Sequence, residues 1–221
     1  MIAKTPPNRC RIVLIAPPGA NAGDFGRKLS DAISGGDVAS LILPPYKLDD
    51  VAFQAFAERI VPLAQESDVA AVVGGDSRIA ARLRADGIHV EGGKGALADV
   101  IDRMQDKMMV GVGGAKTRDD ALALGEERPD YMFFGRFGYD TQPEPHHRNL
   151  ALGRWWAEMI EIPCIVLAGS SVESAATVAA TGAEFAGLST AIFADGVDAA
   201  EAIARVNRLL DESAPRFEDE P

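Results

Sequence analysis

The sequence predicts a (β/α)8 barrel, and three observations carry that prediction. Short β-rich runs alternate with longer amphipathic stretches, giving eight strand-then-helix units in one chain of 221 residues. The first apolar run ends in Pro17-Pro18-Gly19, without the G-x-G-x-x-G that marks the main alternative, an open doubly wound sheet. Near the C-terminus, Leu167-Ala168-Gly169-Ser170-Ser171 and Gly187-Leu188-Ser189-Thr190 each follow an apolar run and open onto a helical pattern. Loops after strands seven and eight of such barrels form a phosphate site.

Each element follows in order. Residues 11–16 read as the first strand, and 24–33 as a helix ended by Gly35-Gly36. The second strand covers 38–43. A helix over 49–65 follows, with Asp49 as its N-cap. The third strand is 69–73, with a short helix over 77–84. The fourth is 87–90, with a helix over 96–105. The fifth is 108–112. Thr117 then reads as an N-cap, with Asp119 and Asp120 in a first turn that favours negative charge. The sixth strand is 131–134, and a long loop over 138–149 separates it from a helix carrying Trp155 and Trp156. The seventh is 164–167 with a helix over 172–180, and the eighth is 185–188 with a helix over 197–210. No linker interrupts the pattern. The prediction is one barrel domain over 1–221, with residues 1–9 and 212–221 as tails.

Composition narrows the function. With 47% hydrophobic and 25% charged residues the chain is ordinary for a soluble globular protein. A net charge of −11 argues against nucleic acid and against an anionic membrane surface as partners. No run approaches a membrane span, and the polar start lacks a signal-peptide core, so a cytoplasmic protein is expected. Cys10 and Cys164 have no metal-type spacing, and Cys164 reads as a core residue. The sequence leaves association into a homo-oligomer open.

Chemistry in a barrel sits at the C-terminal ends of the strands. Four cations fall there in an acidic chain, Lys47, Lys94, Lys116 and Arg136, which points to an anionic ligand. Bare backbone amides in the segments 167–171 and 187–190 are the expected phosphate cradle. Arg136, His89 and Lys94 are the catalytic candidates, although a His on a barrel strand reads equally as a core residue. Asp76 and Glu91 are the carboxylates close behind strands three and four that could hold Mg²⁺ through oxygen ligands, with Asp76 the metal candidate. His146 and His147 read as exposed loop residues. The 138–149 loop, with Pro143 and Pro145, reads as either a lid or an unstructured surface segment.

Several segments resemble the thiamine phosphate synthase and thiazole tautomerase family. Ala85-Asp86-Gly87-Ile88-His89-Val90 is similar to its A-D-G-V-H-L segment, and Gly111-Val112 with residues 117–121 to its fifth strand and following helix. Asp130-Tyr131 with Gly135 resembles D-Y-x-x-x-G, and Thr181-Gly182-Ala183 with Leu188-Ser189-Thr190-Ala191-Ile192 resembles its closing segment. The resemblance implies a (β/α)8 barrel. It implies an enzyme that joins hydroxymethylpyrimidine diphosphate to thiazole phosphate and releases pyrophosphate with Mg²⁺. It assigns the thiazole phosphate to Gly169, Ser170, Ser189 and Thr190. The diphosphate half departs from the pattern. Pro44-Pro45-Tyr46 stands where the family has R-E-K, Gly74-Gly75 where it has Asn-Asp, Lys94 near its second metal-binding Asp, and Gly113 where it has Ser. Its T-x-T-K loop is not recognisable in Tyr139-Asp140-Thr141-Gln142. The expected function is therefore synthase-like transfer. The alternatives are a non-catalytic binder of a phosphorylated small molecule, or a metal-independent isomerase using Arg136 or His89.

Overall fold

A computed structural model describes residues 6–217. Eight parallel strands close in chain order, β1 pairing with both β2 and β8. The order is β1 (Arg11–Ile15), α1 (Ala22–Ser34), β2 (Ser40–Leu43), α2 (Asp50–Gln65), β3 (Ala70–Gly74), α3 (Ser77–Leu83), β4 (Gly87–Glu91) and α4 (Lys94–Met104). Then come β5 (Met109–Gly113), α5 (Arg118–Gly125), β6 (Tyr131–Phe134), α6 (His147–Met159), β7 (Cys164–Leu167), α7 (Ser174–Ala179), β8 (Phe185–Leu188), α8 (Thr190–Phe193) and α9 (Ala199–Ser213).

Alternation along each strand divides the core in two. Val13, Ile15, Ile42, Val72, Phe133 and Ile165 fill the barrel interior. Their neighbours Ile12, Leu14, Leu41, Val73 and Val166 face outward and pack under the helices with Phe25, Phe53 and Trp156. The interior is a packed core, so ligands are confined to the rim.

The helix caps follow the sequence closely. Asp49 accepts a hydrogen bond from the Ala52 N–H. Thr117 and Asp120 form a reciprocal capping box at the start of α5. Three strand ends extend one residue beyond expectation, at Gly74, Glu91 and Gly113. Ladder pairing holds them, Gly74 opposite His89 and Glu91 opposite Gly113. The one-turn α8 stands as a separate helix before α9.

The expected tails are corrected where the described residues reach them. α9 continues through Ser213. Arg9 is only 2% exposed. Its guanidinium donates to Asp211 Oδ1 at 2.8 Å, to the Cys10 carbonyl at 2.8 Å and to Asn207 Oδ1 at 3.0 Å, tying the start of the chain to α9. Residues 1–5 and 218–221 of those tails lie outside the described residues.

Candidate active site

The ends of β7 and β8 bring the expected cradle together, and a third segment already fills it. The residues between β6 and α6 cross the rim. The Ser170 N–H donates to the Gln142 carbonyl at 2.7 Å, and the Ser171 N–H to the Pro143 carbonyl at 3.3 Å. The Thr190 N–H donates to Asp140 Oδ2 at 2.6 Å. Gly169 lies so close that a Cβ there would overlap the Pro143 carbonyl. Its N–H is turned to Ser174 Oγ at 3.0 Å. Ser189 is 1% exposed, and its hydroxyl finds no hydrogen-bond partner among the described residues. Of the four cradle candidates, Ser170 and Thr190 offer amides at the rim, Ser189 offers a hydroxyl, and Gly169 supplies clearance.

His89 sits on the barrel axis side of β4, 1% exposed. Its Nδ1 lies 2.9 Å from the Tyr131 hydroxyl. Its Nε2 has no hydrogen bond among the described residues and lies 3.5 Å from Glu91 Oε1. Phe137 covers it edge-on with centroids 5.0 Å apart, and itself stacks on Phe133 at 4.7 Å. Burial, with the negative charges of Glu91 and Asp130 adding, pushes the Tyr131 phenol well above its usual range. Tyr131 is therefore a neutral hydroxyl that orients the imidazole.

The cations do not converge. Lys94 is exposed and pairs with Glu126 and, at 3.4 Å, Glu127. Arg136 is exposed and lies over the Tyr139 ring at 3.9 Å. Lys116 is exposed. Lys47 lines a cavity of about 480 Å³ with Pro17, Pro18, Pro44 and Tyr46 at the ends of β1 and β2. Tyr46 reaches from there to donate to the Ala16 carbonyl at 2.7 Å.

The carboxylate expected to hold Mg²⁺ is committed elsewhere. Asp76 caps α3, accepting from the Arg78 N–H at 2.8 Å and from the Arg78 guanidinium at 2.6 Å. Those Arg78 hydrogen bonds hold its carboxyl below the usual carboxylate range. Among the described residues no group of three or more His, Cys, Asp or Glu could hold a metal ion. The described residues do not fit a preformed Mg²⁺ site. His146 is a helix cap, its Nδ1 accepting from the Arg148 N–H at 3.2 Å, and its ring stacks on His147.

Sequence reading missed the partners that define this rim. Asp140 stands in the stretch where the family's T-x-T-K loop is not recognisable, yet it is 4% exposed. Phe137 directly follows Arg136 in the loop after β6. Nothing local signals that both fold inward; Asp140 is met by the Thr190 amide after β8, and Phe137 by His89 of β4 and Phe133 of β6.

Comparison with known proteins fixes the lineage. A family model described as thiamine monophosphate synthase matches residues 12–192. The chain belongs to the thiamine monophosphate synthase family. It is 32% identical to the thiamine-phosphate synthase of Rhodospirillum centenum, over 91% of this chain and 98% of that protein. It is 28% identical to that of Hyphomonas neptunium, over 95% and 97%. Among solved structures it is similar in fold to thiamine phosphate pyrophosphorylase from Pyrococcus furiosus, with a TM-score of 0.76 at 16% identity, covering 93% of this chain and 98% of that one. No helix among the described residues is long and apolar enough to cross a membrane.

Proposed function

We propose that this member of the thiamine monophosphate synthase family joins hydroxymethylpyrimidine diphosphate to thiazole phosphate and releases pyrophosphate. One observation carries the reading. The amides of Ser170, Ser171 and Thr190 meet acceptors on Gln142, Pro143 and Asp140, so the donors of two loops converge on the volume that this one stretch fills, and the buried Ser189 hydroxyl next to Thr190 in the chain has no partner among the described residues. That volume suits the phosphate of the thiazole partner. The cavity beside Lys47 suits the pyrimidine, with the lysine ammonium at the diphosphate end. His89 Nε2, on β4 across the barrel from both volumes, is the group to hold or give a proton. A cytoplasmic setting follows from the same biosynthetic role.

A second reading has its own support. Asp76 is spent on Arg78 and Lys94 on Glu126 and Glu127, so one expected acid and one expected cation of the diphosphate half are committed elsewhere. That favours a protein that binds a phosphorylated small molecule without turnover.

Pyrophosphate release from the two substrates in Mg²⁺, with a chelator control, separates the readings. Release supports synthase activity. Absent release, a rise in melting temperature with thiazole phosphate supports the binder. Absence of both overturns the phosphate reading.

A further inference from the structure

We propose that the segment between β6 and α6 is a built-in competitor for the ligand. The Asp140 carboxylate and the Gln142 and Pro143 carbonyls occupy the amides that would hold a phosphate, so a phosphate monoester binds only after this strap lifts. The inference rests on the phosphate reading of the rim given above.

Three N–H donors from two different loops are met by acceptors from one short stretch of chain. A carboxylate oxygen and two carbonyl oxygens stand where the spread oxygens of a phosphate would accept the same bonds. The match is incomplete in a way that favours the ligand. The Thr190 N–H at 2.6 Å is the one hydrogen bond Asp140 accepts among the described residues, although the residue is buried. The strap also leaves the buried Ser189 hydroxyl without a partner. A phosphate dianion brings more acceptor oxygens and more charge to the same donors, including that hydroxyl.

The strap is anchored on both sides of the mouth. Gly138, with φ of +76°, lies against Pro18 and Tyr46, where an added Cβ would sit 3.5 Å from each. Pro143 presses on the bare backbone of Gly169. Phe137, just before the Gly138 anchor, closes over His89. Lifting the strap therefore uncovers the cradle and His89 together. Ligand phosphate and access to the imidazole are coupled through one element with two positions.

The test compares the affinities of the full chain, Asp140→Asn and Asp140→Ser for inorganic phosphate and for thiazole phosphate at fixed ionic strength. Removing the internal anion raises the open fraction, and roughly tenfold tighter binding in the variants is expected if the open form is under about a tenth of the population. Hydrogen exchange on the unsubstituted protein is the second readout. Residues 136–146 should exchange faster at saturating phosphate than without it. Tighter binding with faster exchange sustains the proposal. Equal affinities in all three proteins, or an unchanged strap in the phosphate-bound protein, overturn it and leave the phosphate reading standing. No phosphate binding by any of the three overturns both. If the variants fail to fold, the exchange measurement alone decides.

Discussion

Gly111 is set by a tyrosine on the neighbouring strand. A Cβ on Gly111 would overlap the Tyr131 ring, which passes over β5 to reach His89 on β4. Replacing Gly111 with Ala should push that ring aside, at a cost of about 1–3 kcal/mol. For a chain of this length a cost of about 2 kcal/mol lowers Tm by roughly 4–8 °C; an unchanged melting curve would show that the ring has room. The cysteines make a second residue-scale prediction. Burial pushes the Cys10 thiol up to about 12, and burial with the nearby Glu184 pushes Cys164 well above its ordinary value. Reactivity follows the thiolate. Iodoacetamide at pH 8 should leave both untouched in the folded protein and label both after denaturation. Rapid labelling of the native state would contradict the packing around them.

At the scale of elements, the motifs that carry the family resemblance turn out to hold the barrel floor. Asp86, just before β4, accepts from the Ala71 N–H of β3 at 2.8 Å. Asp130, just before β6, accepts from the Val110 N–H of β5 at 2.7 Å, and Glu184, just before β8, from the Cys164 N–H of β7 at 2.8 Å. The acid before each of these even strands thus closes the start of the preceding odd one. Asp130→Ala would leave the buried Val110 amide unpaired, at a cost of about 1–3 kcal/mol in chemical denaturation; no loss would mean that water takes the bond. These elements were legible because their signals are local. Apolar runs bounded by Gly, Asp and Pro located every strand, and β6, β7 and β8 fall on the expected residues. The missed residues Gly74, Glu91 and Gly113 are not strand formers by composition and are strands only because neighbours pair with them.

For the whole molecule, the fold was readable and the rim was readable only in part. Which loops meet at β7 and β8 follows from barrel order, so Ser170, Ser189 and Thr190 could be placed from sequence alone. The fate of the charged side chains could not. Lys94 is claimed by Glu126 and Glu127 through helix-to-helix geometry that no short motif records, and Asp76 is claimed by Arg78, two residues on, within the cap of α3. The strap is the same kind of case, because Asp140 and Phe137 turn inward through contacts with residues far away in sequence. The central claim is that the two neighbouring loops hold the ligand's phosphate on main-chain amides. Titrating thiazole phosphate into ¹⁵N-labelled protein tests it most directly. The amide signals of Ser170, Ser171 and Thr190 should move first and furthest, together with those of residues 137–143. Saturable shifts confined to another part of the barrel, with these amides unmoved, would contradict it.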